Sequence, residues 1–279
     1  MKRSAGRRPA ARESPPDREV IYGRRPVLEL LRAGRRRVYQ LRIAQGLEGG
    51  ASLEEVYQAA SQSGVRVESV PRRALDDVAG RHGGVAAVAG PYPWAELEDV
   101  VGRIRASDRP CLVLVLDVIQ DPQNLGSLLR TAEAVGVDGV LLPLRRGAEI
   151  TPAVVSASAG ATEHLPVVQA NLAQALVRLK EVGVWIVGLD SGPALPDLRS
   201  VDLALPLALV VGNEAEGMRR LVRDSCDWVV RLPAQGAVES LNAAVAGSIA
   251  LYAAWEARRP RPEAAGTPEL TAPKKVDRM

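Results

Sequence analysis

Leu112, Val113, Leu114, Val115 and Leu116 form an unbroken apolar run. A strand with water on one side alternates apolar and polar residues. One that is apolar at every position is covered on both faces, as in a parallel sheet flanked by helices. Further strands are expected at 139–142, 184–188, 207–211 and 228–232, with helical stretches at 124–135, 151–158, 172–182 and 218–224. Alternation of this kind predicts an α/β domain built on a parallel sheet, here over 109–257. Ligands of such sheets collect beyond the carboxyl ends of the strands. The residues that follow Leu116, Val211 and Leu232 are therefore the first to inspect.

The last helix of this domain is apolar almost all round, with Ala243, Ala244, Val245, Ala246, Gly247, Ile249, Ala250, Leu251, Ala253, Ala254 and Trp255. A helix without a polar face must be covered on most sides, by its own domain or by a partner chain. Polar residues stand at its mouth, where free N–H groups and the positive dipole end lie. Ser240 and Asn242 can serve there as ligand contacts, or Ser240 as an N-cap.

The preceding segment, 19–90, reads as a small α/β module. Strands are expected at Val20 onward, Val38–Ala44, 65–70 and Val85–Ala89. A helix starts near Pro26 and ends at Gly34. A second is opened by the Ser52-x-x-Glu55 pattern of a capping box, and a short third follows Pro71. Residues 91–108, beginning Pro91-Tyr92-Pro93, read as a linker with one helical stretch. Residues 1–18 and 258–279, rich in Arg, Pro and Ala, bury too little to fold and are expected to be a disordered basic arm and tail.

Charge is unevenly placed. Residues 1–18 carry six basic and two acidic side chains, and 258–279 carry six and three; residues 110–257 carry ten and sixteen. Arginines 24, 25, 32, 35, 36, 37 and 42 cluster in the first module. Such a cluster suits bidentate phosphate contacts or, alternatively, a solvated surface. Aromatic residues make up 3% of the chain and phenylalanine is absent, so recognition by rows of stacking rings is not supported. Two cysteines and two distant histidines provide neither a disulfide framework nor metal-ligand spacing, and fit a reducing cytoplasm. No apolar run reaches the roughly 18 residues of a membrane span. His82, His164, Cys111, Trp185 and Trp228 read as structural.

After the first strand come Asp121-Pro122-x-Asn124-x-Gly126-Ser127 and then Arg130-Thr131-Ala132-Glu133. Leu125, Leu128, Leu129, Ala132 and Val135 make one apolar stripe, which leaves Asn124, Ser127 and Arg130 on the other side of the helix. After the fourth strand stands Gly212-Asn213-Glu214-x-x-Gly217-Met218, a short acidic loop between glycines whose backbone can approach a ligand closely. After the fifth, Leu232-Pro233 leads through Gly236 to Ser240-Leu241-Asn242.

Together, in order and spacing, these segments resemble the three signature motifs of the SpoU/TrmH family of RNA ribose 2′-O-methyltransferases, within the SPOUT superfamily. The resemblance covers 110–257. Residues 20–88, with Tyr22-Gly23, Pro26-Val27 and His82-x-Gly84-Val85, resemble the ribosomal-protein-like RNA-binding module that precedes it in many members. The arrangement is most similar to the 23S rRNA guanosine 2′-O-methyltransferases.

The resemblance implies a C-terminal trefoil knot, against the general rule that chains are unknotted. It also implies S-adenosylmethionine as cofactor, and a homodimer with the active site at the interface. By the same route, Asn124, Arg130, Glu214, Ser240 and Asn242 are the expected catalytic set. Gly212, Asn213, Glu214, Gly217, Leu232, Pro233, Ser240, Leu241 and Asn242 are expected to hold the cofactor. A guanidinium stays protonated in proteins, so Arg130 is better suited to gripping the neighbouring phosphate and stabilising charge on the 2′-oxygen than to acting as a base. Two departures from the pattern stand out: Ala244 replaces a frequent serine, and Gly83 a frequent glutamine.

The same chemistry on tRNA or on an antibiotic-site nucleotide of rRNA is one alternative. Another is a non-catalytic RNA-binding assembly protein, which the intact polar set argues against. A nucleotide-binding enzyme with an ordinary open sheet is disfavoured because no G-x-G-x-x-G follows a strand.

Overall fold

The structure is a computed structural model that describes residues 18–259, apart from 146, 148, 193, 214–215 and 237–240. Most of the two expected tails thus lies outside the described residues.

The first module comprises β1 (Glu19–Tyr22), α1 (Arg24–Ala33), β2 (Val38–Ala44), α2 (Ala51–Gln62), β3 (Val67–Val70), α3 (Arg73–Asp76) and β4 (Val85–Ala89). The sheet order is β1-β4-β2-β3, with β4 antiparallel to both its neighbours and β2 parallel to β3. Leu41 and Ile43 of β2 pack with Val27, Leu28, Leu30 and Leu31 of α1. The alternate residues Gln40 and Arg42 therefore project from the opposite face. The expected capping box is not formed. Helix α2 begins at Ala51 with Gly50 in the capping position, so Ser52 already lies inside the helix, where its hydroxyl accepts from Arg24.

The second module continues with α4 (Leu97–Ala106), β5 (Leu112–Leu116), α5 (Pro122–Ala134), β6 (Gly139–Pro143), α6 (Pro152–Ala157), β7 (Val167–Ala170), α7 (Leu172–Lys180), β8 (Trp185–Leu189), β9 (Leu207–Val211), α8 (Arg220–Arg223), β10 (Trp228–Val230) and α9 (Ala243–Arg258). Six strands run parallel in the order β10-β8-β9-β5-β6-β7. Leu112, Leu114 and Leu116 face a core shared with α5 and α9, while Val113 and Val115 face one shared with α4 and α7. Cover on both sides is the physical cause of the unbroken apolar run. Strand β7 was not expected from the sequence: it is short, and its Gln169 and Ala170 are half-exposed, so it lacks the continuous apolar signal.

Two further expectations are corrected. Trp185 is 43% exposed at the start of β8, its ring 4.9 Å from that of Trp228, rather than in the core. The cap of α9 is Asn242, whose side-chain oxygen accepts from the N–H groups of Ala244 and Val245. Ser240 lies outside the described residues.

The modules share one continuous core. The segment 91–108 packs on the second module: the Tyr92 hydroxyl donates to the Thr162 carbonyl at 2.9 Å, and Val100 of α4 sits where a side chain on Gly139 would stand. At the centre, the fully buried guanidinium of Arg36 forms a two-pronged bond with Glu163, at 3.0 and 2.7 Å, and a third contact with Glu19. Arg35 donates to the carbonyls of Pro93, Glu163 and Leu165. Part of the arginine cluster therefore serves neither phosphate nor solvent, because it joins the modules.

Candidate active site at the switch point of the parallel sheet

Strand β5 has β6 on one side and β9 on the other, so the chain runs outward from β5 in both directions. Crevices at such switch points are where open α/β sheets bind ligands. The first and second motif loops leave from the ends of these two central strands.

The first loop begins with Asp117, fully buried, whose carboxylate accepts from the backbone N–H and the Nε of Arg219, both at 2.7 Å. The end of β5 is thereby clamped to the far end of the second loop. The next residue, Val118, has φ 64°. A β-branched side chain is strained there, and such outliers gather at functional sites. Its carbonyl accepts from the Asn213 side chain at 3.0 Å. Asp121 then caps α5 by accepting from Gln123 and Asn124, with Pro122 in the first turn. Gly126 lets α5 lie against α6, because a Cβ there would stand 2.4 Å from that of Ala157.

The second loop folds back on itself. Asn213 and Gly217 exchange backbone hydrogen bonds of 3.0 and 2.9 Å. A Cβ on Gly212 would stand 2.4 Å from the Gly217 carbonyl carbon and 2.5 Å from the Met218 nitrogen. The glycine is therefore a steric requirement of the loop. Glu214 lies outside the described residues, and Glu216 is exposed.

In the third segment, Leu232 is half-buried against the core and Pro233 is exposed. After residues 237–240, Leu241 is exposed and Asn242 caps α9. The Asn242 side-chain amide also donates to the side-chain oxygen of Asn124 at 3.2 Å, so the first and third motifs meet. Helix α9 returns over α5 and β9: Gly247 faces Leu128 and Val211, and Ser248 bonds Thr131 at 2.9 Å. Arg130, as its helical spacing implies, is exposed, and it forms no ion pair with a described residue.

The arrangement brings Asn124, Asn242, Gly212, Asn213 and Gly217 to one end of the sheet. Sequence reasoning assigned no role to Asp117, Val118 or Arg219. A carboxylate directly after an apolar strand was visible, but its partner lies 102 residues away and nothing local reveals it. Burial pushes the thiols of Cys111 and Cys226 up, to about 11 and about 12, so neither is a ready nucleophile at neutral pH. Among the described residues no cluster of acidic, histidine or cysteine side chains is placed to hold a metal, and no helix is long and apolar enough to cross a membrane.

One face of α9 carries Val245, Ile249 and Tyr252, each between 45% and 49% exposed, and the equally exposed Leu241 stands just before the cap of the helix. The spacing of four and three sets the three helical residues on a single stripe. The opposite side, with Ala243, Ala244, Gly247, Ala250, Leu251 and Ala254, is buried in the chain itself.

The switch point of the parallel sheet thus gathers a glycine-bounded loop and two asparagine-linked motifs, an arrangement suited to a ligand held through main-chain groups. Residues 111–252 match the SpoU rRNA Methylase family, and residues 20–95 match the family described as RNA 2′-O ribose methyltransferase substrate binding. YacO of Bacillus subtilis (strain 168), named for the TrmH family of tRNA/rRNA methyltransferases, is 41% identical over 244 residues, which cover 87% of this chain and 97% of YacO. The crystal structure of an RNA 2′-O ribose methyltransferase superposes with a TM-score of 0.71 at 28% identity, covering 86% of this chain and 89% of that one. The SpoU methyltransferase AviRb from Streptomyces viridochromogenes, crystallised with AdoMet, shares the fold with a TM-score of 0.70 at 24% identity, over 86% of this chain and 90% of its own. The chain belongs to the SpoU/TrmH family of RNA methyltransferases.

Proposed function

We propose that the protein transfers a methyl group from S-adenosylmethionine to a ribose 2′-hydroxyl of RNA, with a guanosine of 23S rRNA as the target, in the cytoplasm and as a homodimer. The observation that carries this reading is the contact between Asn124 and Asn242, which unites two motifs at the end of the parallel sheet. The donor set suits the cofactor: a loop closed on itself at Gly212 and Gly217 has a fixed backbone shape, as a ligand held through main-chain groups requires.

When bound, S-adenosylmethionine supplies a methyl group made electrophilic by its sulfonium. The protein's own work is placement. Gly212, Asn213, Gly217, Leu232, Pro233 and Leu241 form the walls. Asn124 and Asn242, with Glu214 and Ser240, orient the ribose and Arg130. The exposed Arg130 guanidinium holds the phosphate beside the target and stabilises the negative charge that develops on the 2′-oxygen.

The apolar stripe of α9 supports the homodimer, since contiguous exposed apolar surface marks an interaction site. A knotted course for the segment after β10 belongs to the same proposal and is supported by the return of α9 across α5 and β9. The first module, which matches an RNA substrate-binding family, supports RNA as the substrate, and a structured rRNA hairpin is the form proposed for it.

The test combines calorimetry with S-adenosylmethionine and mapping of 2′-O-methyl positions in rRNA and tRNA from cells with and without the protein. Loss of one 23S rRNA methylation, with cofactor binding retained in Arg130→Ala but no methyl transfer, is the expected result. A protein that ignores the cofactor would be a non-catalytic RNA binder instead. A lost mark on tRNA would move the substrate but keep the chemistry.

A further inference from the structure

The arginines of α1 are committed within the chain. Arg24 bonds Gly83 and Ser52, Arg25 pairs with Glu29, and Arg32 pairs with Glu29 and Glu55, while Arg35 and Arg36 join the modules. Arg37 and Arg42 are not used in this way. With Arg18 and Arg66 they converge on the sheet face opposite α1, around a cleft of about 360 Å³ lined by Arg18, Tyr39, Gln40, Arg42, Arg66 and Val88. The guanidinium groups of Arg18 and Arg37 lie 4.6 and 5.1 Å from the centre of the Tyr39 ring. Arg42, half-buried, is aimed by one bond from its Nε to Gln40 at 3.1 Å. A nearby carboxylate, that of Glu68, is taken by the amide of the same Gln40. None of the four arginines forms an ion pair with a described residue.

We infer that this cleft is a phosphodiester-binding site that grips the RNA backbone on the first module, apart from the methyl-transfer site. The inference rests on RNA being the substrate, as proposed above. Planar guanidinium forks, held by stacking and by a bracing amide, suit phosphate oxygens better than a point charge would. The cleft's apolar part is limited to Val88 and the Tyr39 ring, so it lacks the anchor pocket on which protein partners depend. Residues 1–18, which end at the cleft's Arg18, carry six basic and two acidic side chains.

The experiment uses the full chain and an rRNA fragment that the wild type methylates. RNA affinity is measured across a series of salt concentrations for wild type, Arg42→Gln/Arg66→Gln, Arg42→Lys/Arg66→Lys and, as a control on α1, Arg25→Gln/Arg32→Gln. Each phosphate contact contributes about 0.7–0.9 to the slope of log affinity against log salt, so the Gln pair should lower that slope by roughly 1.4–1.8. KM for RNA should rise with it, while kcat and cofactor affinity stay unchanged. The Lys pair should recover most of the slope, and the α1 pair should leave it intact. An unaltered slope and KM in the Gln pair would overturn the inference, as would an equal loss in the α1 pair. A Gln pair that binds naked RNA normally but ribosomal particles poorly would assign the cleft to a protein partner and also overturn it. A wild type that methylates no RNA defeats the proposed function, whereas a methylating wild type with an unaltered Gln pair defeats the cleft alone.

Discussion

Asn242 uses both ends of its side chain: the oxygen accepts from the first N–H groups of α9, and the amide donates to Asn124 at 3.2 Å, across 118 residues of sequence. One residue thus starts a helix and joins two motifs. The two roles separate by substitution. Asn242→Ala removes both, and the lost cap alone costs about 1 kcal/mol. Asn242→Asp keeps a capping oxygen but loses the donor, so urea denaturation should show near-wild-type stability. Methyl transfer should still fall, by roughly 10²-fold, because the first motif is no longer aligned with the third. Full activity in Asn242→Asp would show that the inter-motif bond plays no part in turnover.

Gly212→Ala tests the closed loop. Its added methyl meets the backbone of Gly217 and Met218 within 2.6 Å, and backbone cannot swing aside as a side chain can. Overpacking of this kind costs about 1–3 kcal/mol. The distortion falls on the second loop, so calorimetry should show S-adenosylmethionine binding weakened at least tenfold, by about 1.4 kcal/mol or more. Unchanged affinity would place the cofactor elsewhere.

The junction of the modules depends on Arg36 and Glu163, both without exposed side-chain surface. Burial holds the Glu163 carboxyl above its ordinary range, with Arg36 opposing the shift. Removing Glu163 leaves Arg36 buried with only Glu19 as a carboxylate partner, so Glu163→Ala should cost about 3 kcal/mol, the lower end for a broken buried pair. An Arg36→Met/Glu163→Leu pair should be far less damaging than either single change, which a double-variant cycle of unfolding free energies would measure.

Alkaline pH should weaken the fold. Burial raises Cys111 from 9.0 to about 11, Cys226 from 9.0 to about 12 and Tyr92 from 10.0 to about 12. Each binds its proton more tightly folded than unfolded. The stability this contributes is therefore complete below about pH 9 and is lost as pH climbs towards the folded values. Denaturation midpoints should fall from pH 9 upward, with a shallower fall in Cys111→Ala/Cys226→Ala. A slope indifferent to both thiols would contradict this.

Much of this was legible in the residues. The apolar run 112–116 required cover on both faces and so a parallel sheet, and the motif residues, by their resemblance to a known family, pointed to RNA methylation. Helix ends were less legible: Ser52 and Ser240 had the right side chains for caps, yet Gly50 and Asn242 hold those places, because a cap is decided by where the chain turns. Trp185 illustrates the same limit, since a strand pattern says which way a side chain points but not whether a neighbour covers it.

Local periodicity follows from chain geometry, and so the sequence alone determined every strand and main helix of the second module's alternation but β7, while the motifs, by their resemblance to a known family, marked the residues to inspect. The folded chain decided which of those residues meet. Asp117 found Arg219, Asn124 found Asn242, and the arginines divided between a buried junction and an open cleft. Each of these pairings depends on long-range closure and burial, quantities that no local stretch of sequence contains.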